Sequence, residues 1–275
     1  MRWWLITIFA AGCGFHVEVG SAGDDQPDPT EPDAGTTIVP RMCSTNDPDL
    51  RLCIDFDDST NLAVDGSSVG HTIVAQNLTP MQRDTHQGIE GAVQVGNQSH
   101  VWIAESPALD VAEDLTVAMW IQVDPGSLPT SITNSRWLYD NNTQYFASLR
   151  LGGTIRCGSG TVVTDSPPVG AGGTWHHVAC TYQQDEMRVY IDGHVAGCEF
   201  TDDRDIPTDG DDGFAIGANL SWNNSQGPGQ PRFNEHFVGG IDNVQVFSRL
   251  LPPAELCAAA GSTTCNTICP SRPSR

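Results

Sequence analysis

After residue 42 the apolar stretches of this chain are short, and Gly, Pro, Asn or Asp punctuates them. That rhythm leaves little room for helices and requires antiparallel strands joined by tight turns. The clearest stretch is "LTVAMWIQV" (115–123). Leu115, Val117, Met119, Ile121 and Val123 share one face, and Thr116, Ala118, Trp120 and Gln122 share the other. Both faces are largely apolar or aromatic, so this strand is central and covered on both sides, with Trp120 expected in the core.

Further strands are expected at "LRLCIDF" (50–56), "GAVQVG" (91–96), "HVWIA" (100–104), "RWLYD" (136–140) and "YFASLRL" (145–151). The run continues with "TIRCGS" (154–159), "TVVTD" (161–165), "WHHVACTY" (175–182), "MRVYID" (187–192) and "HVAGCEF" (194–200). "FAIGA" (214–218) and "FVGGIDNVQVFSR" (237–249) complete it. Only "PPAELCAAAG" (252–261) reads as helix, with prolines at its start and Gly261 at its end. The expected fold is an all-β, two-sheet antiparallel sandwich or jelly roll over residues 42–265, with one short C-terminal helix and a tail at 266–275.

The formal net charge of −21 repels phosphates, which excludes a nucleic-acid backbone as partner and favours divalent cations. The N-terminus, "MRWWLITIFAAGCGF", has Arg2, an apolar run and then small residues, as a secretory signal does. Ala10-Ala11-Gly12-Cys13 resembles the bacterial lipobox. That resemblance implies a signal peptide over 1–12, lipid on Cys13 and a membrane anchor. Gly14 follows Cys13, with no aspartate there to argue for inner-membrane retention, so the outer membrane or cell surface is the expected address. Residues 13–41 are expected to form an extended acidic tether, since 20–40 hold acids, Pro, Gly and Thr and little to bury.

The chain has nine cysteines. Setting Cys13 aside leaves an even set for disulfides in an oxidising compartment. There is no CxxC pair, which argues against zinc.

"GTWHHVACTYQQDEMRVYIDGHVAG" (173–197) resembles the central signature of LamG-like jelly-roll domains in the concanavalin A-like lectin/glucanase superfamily. "FAIGAN" with "FVGGIDNVQVFSRLLPPAEL" (237–256) is similar to the family's closing strand and helix. "GAVQVGNQSHVWI" (91–103) is similar to an early strand pair. The resemblance implies a fold that hosts lectins, adhesion modules and hydrolases, so function must be argued from the site.

The resemblance also implies one structural calcium. Its ligands would be Asp242, with backbone from the segment around Asp55–Asp57, Asp57 included, and from Gly91. Hard oxygen donors suit that ion. The acidic stretch "TDDRDIPTDGDDG" (201–213) lacks EF-hand spacing and reads as a solvated loop.

His176 and His177 are neighbours on a strand and point to opposite faces, so they cannot share a metal. Two successive hairpins would hold Cys180 and Cys198 two strands apart, roughly 9–10 Å, beyond disulfide reach. Cys157 is the better partner for Cys180. Cys43 and Cys53 tie the start of the domain to its first strand. Cys257 pairs with Cys265 or Cys269, and Cys198 takes whichever remains.

A hydrolase of this fold would need two carboxylates close together on one strand, and no strand has them. Gly-x-Ser-x-Gly is absent too. The expected function is non-catalytic, extracytoplasmic binding or adhesion toward a glycan or surface polymer. Trp222, Asn223, Arg150 and Trp137 are the candidate ligand contacts. A structural or protein-interaction role in the cell envelope is the alternative, and a glycoside hydrolase comes third.

Overall fold

The computed structural model describes Cys43 and residues 46–85, 88–142, 144–183, 185–201, 206–207, 213–222 and 231–269. The expected signal peptide, Cys13 and the tether lie outside these residues, as do Asn223 and most of the acidic stretch 201–213.

The strands in chain order begin with β1 (Leu50–Ile54), β2 (Ile73–Gln76), β3 (Thr79–Thr85), β4 (Gly88–Val95) and β5 (His100–Ile103). Next come β6 (Leu115–Val123), β7 (Arg136–Asp140), β8 (Phe146–Leu149), β9 (Thr154–Ser159) and β10 (Val162–Pro168). They continue as β11 (Trp175–Gln183), β12 (Glu186–Ile191), β13 (His194–Phe200) and β14 (Phe214–Ile216). β15 (Asn219–Trp222), β16 (Pro231–Asn234), β17 (Gly239–Phe247) and the helix α1 (Pro253–Ala259) close the chain.

The larger sheet runs β13-β12-β11-β6-β17-β4-β3, with β1 also paired to β17. The smaller runs β10-β9-β8-β7-β14-β5-β2. The two close over one core. Leu115, Val117, Met119, Ile121 and Val123 of β6 face Val101, Ile103, Leu138, Leu149 and Ile216 of the other sheet within it. This is the expected all-β sandwich, with β6 central between β11 and β17.

Three segments differ from expectation. β2 and β3 form where no strand was expected, because "IVAQ" and "TPMQRDT" are edge strands with mostly exposed residues and little apolar signal. Residues 219–222, expected in a loop, pair with 231–234 as a separate ribbon.

Four disulfides close among the described residues. Cys43 joins Cys53, Cys157 joins Cys180, Cys198 joins Cys269 and Cys257 joins Cys265. Cys157 and Cys180 are not on neighbouring strands. They lie on β9 and β11, in opposite sheets, and meet across the core with Cα atoms 5.9 Å apart. Cys180 faces Val189 on β12, and Cys198 lies one strand further on opposite Arg188. This set of bridges marks an exported or extracellular protein.

The turn between β12 and β13 shows how the tail is seated. Asp192 and Gly193 both have positive φ, +52° and +80°, as a two-residue hairpin turn requires. A Cβ on Gly193 would lie 2.7 Å from Cys265 Sγ and 2.8 Å from Cys257 Cα. The turn therefore fits under the Cys257–Cys265 bridge only as glycine.

Candidate functional site

Strand alternation puts Ala118, Trp120 and Gln122 of β6 on the face of the larger sheet that points away from the core. In register beside them lie Trp175, His177 and Ala179 of β11, and Gly240 and Asp242 of β17. Half of this outer face is dry. Leu50, Cys53, Ala118, Ala179, Tyr190, Phe247, Leu251 and Leu256 form a second apolar cluster, which α1 caps. The other half carries aromatic and polar side chains. Trp120, expected in the core, belongs here and is only partly buried. The strand is covered on both sides as expected, but Trp120 is covered by a side chain, not by the second sheet.

That side chain is Arg83 of β3, 3 % exposed. Its Nε donates to Asp242 Oδ2 at 2.5 Å, and its Nη2 donates to Glu90 Oε2 at 2.5 Å. The guanidinium lies 4.4 Å from the centre of the Trp120 ring and 6.0 Å from that of Trp175, within cation–π range. Asn243 Nδ2 donates to Asp242 Oδ2 at 3.2 Å and to Glu90 Oε2 at 3.3 Å. Burial pushes the Asp242 carboxyl up to about 7; Arg83 pulls it down, and Glu90 adds to the rise.

His177 stands edge-on to Trp120, ring centres 5.4 Å apart. Burial pushes its imidazole down to about 4; Asp192 opposes this and Arg83 adds to it. His176 lies on the opposite face, and its Nδ1 bonds Asp192 Oδ2 at 2.8 Å, while Asp192 Oδ1 accepts the His177 backbone N–H at 2.9 Å. The histidine pair therefore braces the β11–β12 hairpin.

Trp175 has an unusual seat. It is paired with Gln122, which is paired with Gly240. A Cβ on Gly240 would lie 2.5 Å from the far edge of the Trp175 indole and 3.0 Å from Met81 Sδ. The ring thus crosses β6 and rests on bare backbone of β17. Gln122 Nε2 donates to Gly173 O at 2.6 Å, which fixes the segment that leads into Trp175. Trp175, Gln122, Gln94 and Met81 are all partly exposed. The result is an aromatic, amide-fringed surface with a cation beneath it.

Of the residues expected to hold calcium, Asp57 and Gly91 meet, and Asp242 lies apart from them. Asp57 Oδ1 accepts the Gly91 N–H at 2.7 Å, and a Cβ on Gly91 would strike Phe56 O and Asp57 Cα. Asp57 therefore packs against the face of β4 opposite to Glu90, which faces Arg83. Asp242 sits with Arg83 on the outer face, its Oδ1 without a hydrogen-bond partner. Calcium takes six to eight oxygens. Among the described residues, Asp242, Asp57 and Glu90 form no acid group with oxygens within 4.8 Å of one another. These carboxylates do not gather as the ion requires, and a guanidinium occupies the Asp242 carboxylate.

Two of the expected ligand contacts, Trp137 and Arg150, have internal partners. Trp137 Nε1 donates to Glu235 Oε2 at 2.7 Å, with its ring 5.1 Å from Phe146. Arg150 bonds Ser135 Oγ and Ile132 O. Trp137 lies in β7 of the smaller sheet, Arg150 directly follows β8, and Trp222 ends β15 opposite Pro231.

One trio has the look of acyl-transfer chemistry. Asp65 Oδ2 meets His71 Nδ1 at 2.8 Å, and His71 Nε2 meets Ser106 Oγ at 3.1 Å. Burial works against the Asp65 anion, but bonds from the His71 side chain and from the His71, Ser67 and Cys53 amides hold it at about 2. Pro107 follows Ser106 and has no N–H to stabilise an oxyanion. The trio staples the 65–71 loop to the 106–109 turn.

Trp175 and Arg83 escaped the sequence reading. The available signal was Gly240, a bare position in the most buried strand.

Comparison with known proteins follows this geometry. A family model described as the concanavalin A-like lectin/glucanases superfamily, Laminin_G_3, matches residues 95–257. The chain belongs to that superfamily. No curated protein matches it. Among solved structures it is similar to the binding domain of Paraclostridial Mosquitocidal Protein 1, with 16% identity and a TM-score of 0.56 over 77% of this chain and 52% of that one. It is also similar to the binding domain of Botulinum Neurotoxin DC in complex with SialylT, with 12% identity and a TM-score of 0.56 over 79% of this chain and 52% of that one. The same domain with rat synaptotagmin II gives 12% identity and a TM-score of 0.54, with the same coverage. The superfamily member described here spans about half the length of those chains. At these identities the likeness shows the fold alone.

Proposed function

We propose that this domain is a non-catalytic binding module, and that it takes a glycan or surface polymer on the outer face of its larger sheet. The observation that carries the reading is Trp175, laid over Gly240 beside Trp120 and fringed by Gln122 and Gln94. A flat, partly exposed indole offers a large apolar face at little conformational cost, and the amides offer hydrogen bonds to hydroxyls. The binding domains of similar fold, one of them solved with SialylT, support the partner class. Catalysis is set aside because Asp242 is 0 % exposed and lies behind Arg83, where it cannot touch a substrate. A lipid on Cys13 would hold the module at the bacterial outer membrane or cell surface.

The test is a glycan array probed with the exported domain, followed by titration of the best binder. Trp175→Ala should weaken binding by at least about tenfold while the domain stays folded. An array without binders, together with a specific envelope protein captured by pull-down, would replace this reading with a protein-interaction one.

A further inference from the structure

We infer that Arg83 is a built-in cation, which neutralises the acidic fork where β1 and β4 meet β17 and makes the domain independent of calcium. β17 pairs with β4 through Gly239–Ile241 and with β1 through Val244–Phe247. Asp242 and Asn243 fall between, at a bulge, and Asn243 has a φ of +50°. Two carboxylates, Asp242 and Glu90, come together at this fork. Asp242 is fully buried and Glu90 partly so, and a buried acid needs a cation or a proton. Arg83 supplies the cation from the edge strand, with one N–H to each acid and its flat face over Trp120.

The geometry is fork-like in the way that suits a guanidinium and not a metal. Arg83 uses separate nitrogens for the two acids, whereas a metal would draw their oxygens onto one point. A divalent ion at Asp242 would also sit beside a fixed positive charge. Arg83 therefore both compensates the fork and positions Trp120, and this does not depend on what the outer face binds.

The experiment is thermal melting of the purified full domain with EDTA and with millimolar calcium, plus calorimetric titration with calcium alone. The wild type should melt within about 2 °C under both conditions, as expected where no ion binds the native state. It should also show no saturable calcium uptake. Arg83→Gln should melt about 8–16 °C lower, the usual cost of orphaning buried charges in a domain this size. Arg83→Lys keeps a cation and should stay calcium-insensitive, which covers the case where the Gln variant does not fold. A wild type that loses stability in EDTA or takes up one calcium per chain would overturn the inference. So would an Arg83→Gln protein that folds and melts with the wild type, or an Arg83→Lys protein that needs calcium. None of these readouts involves a glycan, so failure here leaves the glycan reading standing, and an empty glycan array leaves Arg83 untouched.

Discussion

The two halves of one sheet face are built on different principles. Under α1, the outer face of the larger sheet is closed by apolar contact, with Leu251 and Leu256 set against Ala118 and Ala179. A few residues along the same strands, Arg83 closes it with charge against Asp242 and Glu90, over Trp120. The apolar half needs only shape, and it is further stapled by Cys257–Cys265. The charged half needs each polar partner in place, and its cover is a side chain that leaves Trp175 at the surface. Packing of the first kind holds a wall, and packing of the second kind leaves a surface that can meet a ligand.

The widest way to break the comparison is Arg83→Gln. It should cost about 3–5 kcal/mol in denaturant melts, because buried Asp242 and half-buried Glu90 lose their cation. Acid should separate the halves next. His177 has its folded value lowered to about 4 from 6.5. Its contribution is fully present above 6.5 and is lost as pH falls to about 4, to the extent of about 3 kcal/mol. Asp242, raised to about 7, works the other way, since its contribution is fully present below 3.8 and is lost as pH rises through about 7. The comparison between wild type and His177→Phe isolates the first effect. The variant should lose less stability between pH 7 and pH 4, and parallel curves would show that His177 is not held neutral.

On the apolar side, replacing Cys257 and Cys265 together by serine should cost about 2.5 kcal/mol by loop entropy, with no pH dependence in that window. The smallest effect should come from Gly240→Ala, about 1–2 kcal/mol, because Trp175 must lift off β17. That variant should nevertheless lose ligand affinity. Unchanged affinity would remove Trp175 from the binding surface.

Much of the fold was legible because period-two alternation and turn residues are local signals, as in Leu115–Val123 and the Asp192-Gly193 turn. Edge strands β2 and β3 were not, since one exposed face erases the apolar rhythm. The site was less legible still. Alternation gave the face on which Trp120 lies, but not what covers it. Arg83, alone in "TPMQRDT", reads as a solvated edge charge until β4 and β17 fold against it, and Trp175 and Gly240 are joined only by the register of three strands. The internal partner of Trp137 was hidden for the same reason: Glu235, which engages it, lies 98 residues away.

The Cys43–Cys53 bridge has a mechanical consequence. Tension on the chain before Cys43 passes through the disulfide directly to Cys53, inside β1, and residues 44–52 carry none of it. β1 is paired to β17 alone, as a branch off the main strand order, next to the middle of the larger sheet. A domain held by its N-terminal side in flowing medium would take the load on β1, and the ladder to β17 would pass it to the middle of the larger sheet.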